Sequence, residues 1–178
     1  MVRLMFWNKG RPPRVSGEAA TALEHGETQA RRSADRLKEV RKQTAEFFKT
    51  RTGNVRGKGR RIVSVKPRNH VHDAEWLWQK HLPNQVEELD DLTREVKVYV
   101  SLARRATAAL KAGKPTAVNL GFGRNKRTTI QSSPEVVRLL PDFENRVLAP
   151  MTRTAEDAQT LKTAFETALA KQRGGTQH

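Results

Sequence analysis

The sequence contains no cysteine, which excludes disulfide bonds, thiolate zinc ligands and a cysteine nucleophile. It also lacks any apolar run near the roughly 18 residues that span a bilayer, so we expect no membrane partner. Apolar residues make up only 36% of the 178, below the roughly 45–50% usual in globular domains. A core built from so few apolar residues is thin, and we expect part of the chain to gain order from other molecules.

Acidic residues are missing from three long stretches, residues 1–17, 47–72 and 96–134. These stretches carry 20 of the 34 lysines and arginines, so the remainder, which holds all 19 acidic residues, is net acidic. Unpaired like charges repel each other unless an anion from outside neutralises them. The distribution therefore predicts binding to a polyanion, with the phosphate backbone of nucleic acid as the first candidate and no sequence specificity.

The basic side chains concentrate in a Gly-rich loop at 50–61, in the short strand that follows it, and near residue 125. The candidate nucleic-acid-binding residues are Arg51, Arg56, Lys58, Arg60, Arg61, Lys66, Arg68, Arg124, Lys126 and Arg127.

Five aromatic side chains are candidates for stacking on bases or for anchoring a partner chain. Phe6 and Trp7 lie in a basic N-terminal arm, and Phe122 lies between two glycines in a basic segment. Trp76 and Trp78 are two residues apart, so on a helix they point to different sides. A local aromatic core is the alternative interpretation of this tryptophan pair.

Two long helices with a heptad-like apolar pattern are predicted at about 16–49 and 84–112. The first has an Ala-rich stripe that is interrupted at Gly26. In the second, apolar residues recur at steps of three and four. This helix seam consists of Leu89, Leu92, Val96, Tyr99, Ala103, Ala106 and Leu110. The pattern fits either a helical hairpin within the chain or a coiled coil between chains.

Shorter elements are predicted around these helices. A strand is expected at 62–66, followed by a short helix at 72–82 that Pro83 ends. Residues 116–131 are expected to form a basic hairpin or ordered loop. The fold class is therefore mainly α, with small basic β or loop elements.

The C-terminal part is predicted to contain three short helices. Ser133 and Pro134 begin the first, and Pro141 separates it from the second. Thr154, in a capping box with Asp157, begins the last helix at 154–172. The resulting organisation has four parts, namely a basic arm at 1–15, the long helices at 16–112, the hairpin and short helices at 113–172, and a tail at 173–178.

Enzyme signatures are not recognisable in this sequence. The glycines near Lys58 have the wrong spacing for a phosphate-binding loop, and Gly59 stands where the hydroxyl that binds magnesium is needed. The acidic residues at 87–91 suit the positive end of a helix dipole and need no catalytic explanation. His70, His72 and His81 lack a fourth ligand at a recognisable spacing. We therefore expect no enzymatic activity, no cofactor and no metal.

Two segments resemble proteins of tailed phages. Residues 6–48, beginning FWNKGRPPRVSGEAATAL, resemble short helical proteins encoded near virion genes of actinobacterial tailed phages. Residues 45–65, AEFFKTRTGNVRGKGRRIVSV, are similar to the helix, turn and strand of phage tail-completion or neck proteins. The second resemblance implies a ring-forming structural protein at the head–tail junction, whereas the first implies no residue roles.

Three hypotheses follow from these observations. The first is a structural protein of a phage virion, located in the virion or the host cytoplasm, which contacts nucleic acid and other protein subunits. The second is a ribosome- or RNA-associated protein. The third is a dimeric DNA-binding regulator that uses the 84–112 helix as its seam. A mitochondrial location is the less favoured alternative, because Pro12 and Pro13 disfavour the amphipathic helix of a presequence.

Overall fold

The computed structural model describes residues 17–51, 54–56, 62–65, 76–119 and 127–175. Side chains are described for 17–46, 76–119 and 127–174. Within these ranges the fold is mainly α, as the apolar periodicity predicts. Its largest elements are three long helical segments, which pack side by side along most of their length.

Helix α1 spans Glu18–Arg51 and helix α2 spans Leu82–Lys111, close to the two predicted heptad helices. The two helices run antiparallel, because Gln43 of α1 bonds Gln85 near the start of α2, while Gly26 lies against Tyr99 further along. Seam residues Leu89, Leu92 and Val96 are almost completely buried within the single chain. The structure thus shows the hairpin alternative for these helices.

The third long segment is continuous where the sequence predicts three short helices, so that prediction is wrong. Helix α3 spans Pro134–Phe143, a π-helical turn spans Glu144–Leu148, and helix α4 spans Ala149–Gly175 without a break. Ser133 caps α3 as predicted, accepting a 3.2 Å hydrogen bond from the Val136 amide. Pro141 lies inside α3 on its exposed face.

The start predicted for the last helix is also wrong. Thr154 is buried in the interior of α4, and its hydroxyl donates to the Pro150 carbonyl at 3.0 Å instead of capping a new helix. Burial explains the continuity, because Val147, Leu148, Met151 and Ala155 all belong to the main core. Tertiary packing of this apolar face outweighs the local signals for a break.

Pro83 does not end a helix either, contrary to the prediction. A π-helical turn at Leu77–His81 leads directly into α2, and Pro83 occupies the first turn of that helix. Pro150 follows the π turn at Glu144–Leu148 in the same way. Each of the two prolines lies two residues after the end of a π turn. A wider turn relieves the clash between the proline ring and the preceding carbonyls.

Two small antiparallel hairpins complete the fold. Strand β1 (Asn54–Arg56) pairs with β2 (Ile62–Val65), so part of the predicted basic loop is a strand. Strands β3 (Thr116–Asn119) and β4 (Arg127–Ile130) form the hairpin expected between the second and third long segments. Ile130 of β4 packs with Leu110 and Leu140 in a second, smaller core.

Gly26, the interruption in the apolar stripe of α1, lies in close contact with α2 and the third long segment. A Cβ atom added there would lie 3.0 Å from both the Tyr99 hydroxyl and a Val147 methyl carbon, and 3.1 Å from the Phe143 ring. Val147 is fully buried and has little room to move. Only glycine therefore fits without displacing a neighbour.

We expect Gly26→Val to lower the free energy of unfolding by about 2–3 kcal/mol, because it overpacks this contact. Urea denaturation followed by circular dichroism measures the loss. Thr28→Val places the same side chain on the exposed surface of the same helix and should change stability by less than about 0.5 kcal/mol. Equal stability of the two variants would contradict this account of Gly26.

Candidate anion-binding groove

Most of the predicted nucleic-acid-binding residues lie outside the described residues. These are Lys58, Arg60, Arg61, Lys66, Arg68, Arg124 and Lys126. The backbone of Arg51 lies at the end of α1 and that of Arg56 lies in β1. Arg127 is exposed on β4. The predicted anchors Phe6, Trp7 and Phe122 also lie outside the described residues.

The two tryptophans of the predicted aromatic helix have different environments. Trp76 is 39% exposed and stacks on the His81 ring, with 5.3 Å between the ring centroids. Trp78 is half-buried. The different exposure agrees with the expectation that residues two apart on a helix face different sides. The stacking of Trp76 on His81 is a local contact, which restricts but does not bury the indole.

A long groove with charged side chains in its walls runs between α2 and α4. It consists of two adjoining cavities of about 640 Å³ and 690 Å³, which share Arg104 and Thr152 in their walls. Val100 and Ala155 of the core lie at its base. From Lys97 to Lys111 on α2 the groove extends about 21 Å, at 1.5 Å per helical residue.

Basic side chains dominate the charge of this groove. The cations in its walls are Lys97, Arg104, Arg105, Lys111 and Arg153, and the two carboxylates are Glu144 and Glu156. Lys111 donates to Glu144 at 2.7 Å. Among the described residues, the other four cations have no carboxylate within ion-pairing distance. Four cations are thus available to an anion that enters the groove.

The opposite half of the bundle is organised differently, because its charges are largely paired with each other. Arg36 of α1 donates to Glu88 at 2.7 Å and also bonds Glu95, both on α2. Lys162 of α4 donates to Asp90, which also accepts from Arg94 at 2.8 Å. The carboxylates at the start of α2 therefore hold the three helices together. This explains the predicted cluster of acids at 87–91 as structural.

The hydrogen bonds from Lys162 and Arg94 hold the pKa of Asp90 below its ordinary value. A lowered pKa in the folded state means that Asp90 contributes stability above about pH 4, and that this contribution is lost as the pH falls through the folded pKa. We expect Asp90→Asn to be less stable than the wild type at neutral pH. The difference should shrink in acid, where the wild type loses the same interaction.

Chemical denaturation at neutral pH and near pH 3 measures this convergence. Asp142→Asn is the matched control, since Asp142 is exposed on α3 and pairs with no cation among the described residues. A difference between Asp90→Asn and the wild type that stayed constant with pH would contradict the role of the Asp90 carboxylate.

Sequence reasoning placed Lys97, Arg104 and Arg105 in an acid-free stretch but did not select them as site residues. Their spacing of seven and eight residues was the available signal, because it repeats after two helical turns and puts them along one side of α2. Arg153 gave no such signal, since Glu156 and Asp157 follow it closely. Its place in the groove depends on how α4 packs against α2.

The described residues contain no group of three or more histidine, aspartate or glutamate side chains that could hold a metal ion. None of the described helices combines the length and apolar character needed to cross a bilayer. No family model, curated protein or solved structure shows significant similarity to this chain. The groove and the distribution of charge are therefore the features that bear on function.

Proposed function

We propose that this protein is a non-enzymatic structural component of a large nucleoprotein assembly, and that it binds the phosphate backbone of nucleic acid. One observation carries the proposal: the α2–α4 groove is lined by four cations that have no carboxylate partner among the described residues. Such a groove suits a linear polyanion, because it offers positive charge over about 21 Å.

The contrast between the two halves of the bundle supports this assignment. Arg36 and Lys162 each form an ion pair with a carboxylate of another helix, so their charge contributes to the fold. In the groove this pairing is found for Lys111 alone among the described residues. Exposed cations without partners add little to stability, so their concentration in one groove favours a role in binding.

A phage virion, in the capsid or at the head–tail junction, is the assembly that we propose, and the resemblance of residues 6–48 and 45–65 to phage proteins supports it. A ribosome- or RNA-associated protein has the same charge distribution and is the second candidate. A dimeric regulator has less support, because its seam at 84–112 packs against α1 and α4 of the same chain.

The purified full-length protein tests the proposal in low and high salt. We expect it to bind labelled single- and double-stranded oligonucleotides of unrelated sequence with similar affinity, and to release them as salt increases. A monomer that binds no nucleic acid at low salt would overturn the proposal. Electron microscopy separates the two assemblies, because a virion protein should form uniform rings or shells, whereas a ribosomal protein is present once per particle.

A further inference from the structure

A third cavity, next to the α2–α4 groove, lies where α1, α2, α3 and the β3–β4 hairpin meet. Its volume is about 660 Å³, within the 300–1,000 Å³ typical of sites for small molecules. Its lining is mostly apolar and comes from all four elements. It differs from the groove between α2 and α4 because its lining contains no carboxylate, although the two sites share Arg105 and Thr107.

The sequence explains why this space stays open. Its helical walls carry four alanines, Ala19 and Ala22 from α1, and Ala103 and Ala106 from α2. Ala103 and Ala106 are seam positions of α2. Leu89, Leu92 and Val96 fill the first part of this seam, whereas Ala103 and Ala106 leave space. The tight contact at Gly26 holds α1 at a fixed position. Apolar side chains that stay exposed together in a concave site favour an apolar occupant.

The polar side chains in the lining include no carboxylate. Burial raises the pKa of the Tyr99 hydroxyl. Burial, with a smaller contribution from Arg32, lowers the pKa of His25. Both groups are therefore neutral near pH 7. The permanent charges in the lining are Arg105 and Arg127, neither of which pairs with a carboxylate among the described residues.

We propose that this cavity binds a small amphipathic carboxylate. Its apolar body would lie among the alanine, leucine and phenylalanine side chains, and its anionic group would pair with Arg105 and Arg127. Charge complementarity selects this class, because the lining offers two guanidinium groups and no acid. Leu102, an apolar side chain in the lining that is 59% exposed, extends the apolar surface toward solvent at the edge of the site.

Competition experiments on the full-length protein test this site. Anilinonaphthalene sulfonate, an apolar dye with one anionic group, should become fluorescent in the cavity. Decanoate should displace it at a concentration at least about tenfold lower than decanol, which has the same chain length and no charge. Equal displacement by the two competitors, or no dye fluorescence, would overturn the proposal.

Two kinds of variant locate the binding. Arg127→Gln should remove most of the preference for decanoate and leave displacement by decanol unchanged. Ala22→Phe fills the cavity from α1 and should abolish dye binding, whereas Ala164→Phe, at an exposed position of α4, should not. Ala106→Met fills the cavity from α2 and replaces Ala22→Phe if that variant fails to fold. Dye binding that survives in a folded cavity-filling variant would overturn the assignment.

This inference shares one cation, Arg105, with the groove of the proposed function, and other residues separate the two sites. Arg127 lines the apolar cavity but neither part of the α2–α4 groove, and Arg104 lines the groove but not the apolar cavity. Arg104→Gln should therefore leave decanoate binding unchanged while it weakens nucleic-acid binding. Loss of decanoate binding in Arg104→Gln would overturn the separation of the two sites.

Discussion

Replacing Lys97, Arg104 and Arg153 with glutamine should weaken binding to single-stranded DNA about 10- to 100-fold at low salt. Each exposed contact between a cation and a phosphate is taken to contribute roughly 0.5–1 kcal/mol, and about 1.4 kcal/mol corresponds to a tenfold change. All three side chains line the α2–α4 groove, and none pairs with a carboxylate among the described residues. Replacing them should therefore lower the affinity for DNA without removing an ion pair that stabilises the folded protein.

The dependence of affinity on salt gives a sharper test than affinity alone. Each phosphate neutralised on a single strand contributes about 0.7 to the slope of log affinity against log salt, so the triple variant should lose about 2 from that slope. Fluorescence anisotropy with a labelled oligonucleotide at several salt concentrations measures it. Residual binding is expected, because the acid-free stretches at 1–17 and 47–72 keep their charge.

A matched control separates the groove from net charge. Arg31, Lys171 and Arg173 are exposed and have no ion pair among the described residues, and they do not line the groove. Replacing these three with glutamine removes the same charge and should change the slope much less. If both triple variants lost affinity equally, the protein would attract nucleic acid through its overall charge, and the groove would have no special part.

The two heptad helices could be predicted because their signals are local. Apolar residues at steps of three and four identify α2 whatever it packs against, and its buried residues Leu89, Leu92 and Val96 are the ones that the pattern selects. Ser133 followed by Pro134 is similarly local, and the predicted cap is present. Strand β2 lies where alternation predicts a strand, and β3 and β4 lie within the segment 116–131 predicted as a hairpin or an ordered loop.

The third long segment could not be predicted in this way. Pro141 and the capping-box pattern at Thr154 are genuine local signals for helix ends, and each has an energetic cost. They are outweighed by burial of Val147, Leu148 and Met151 against α1 and α2. Such burial depends on contacts distant in sequence, which a local pattern does not contain.

The candidate site was predictable only in part, for a related reason. The acid-free stretch at 96–134 indicated that α2 carries unpaired cations. It could not indicate that α4 lies alongside and adds Arg153. The alanines of the seam raised a similar ambiguity. Small side chains at seam positions fit close helix packing as well as an open space, and at Ala103 and Ala106 they line a cavity.

Leu92→Ala should lower the free energy of unfolding by about 2–5 kcal/mol, the cost of emptying a fully buried leucine site. Leu92 is 0% exposed in the main core, among residues of α1, α2 and α4. Because the total free energy of unfolding of a small domain is only about 5–15 kcal/mol, this loss is a large fraction of the stability. Leu102→Ala is the matched control on the same helix, since Leu102 is 59% exposed.

Repeating the denaturation over a wide range of protein concentration makes this a test of the fold as well. Packing of the seam within one chain predicts a midpoint that is independent of concentration for both the wild type and Leu92→Ala. A coiled coil between chains predicts a midpoint that rises with concentration, because association stabilises the folded state by mass action. A concentration-dependent midpoint would mean that α2 uses its seam for another chain. An equal loss in Leu102→Ala would contradict the difference in burial between the two leucines.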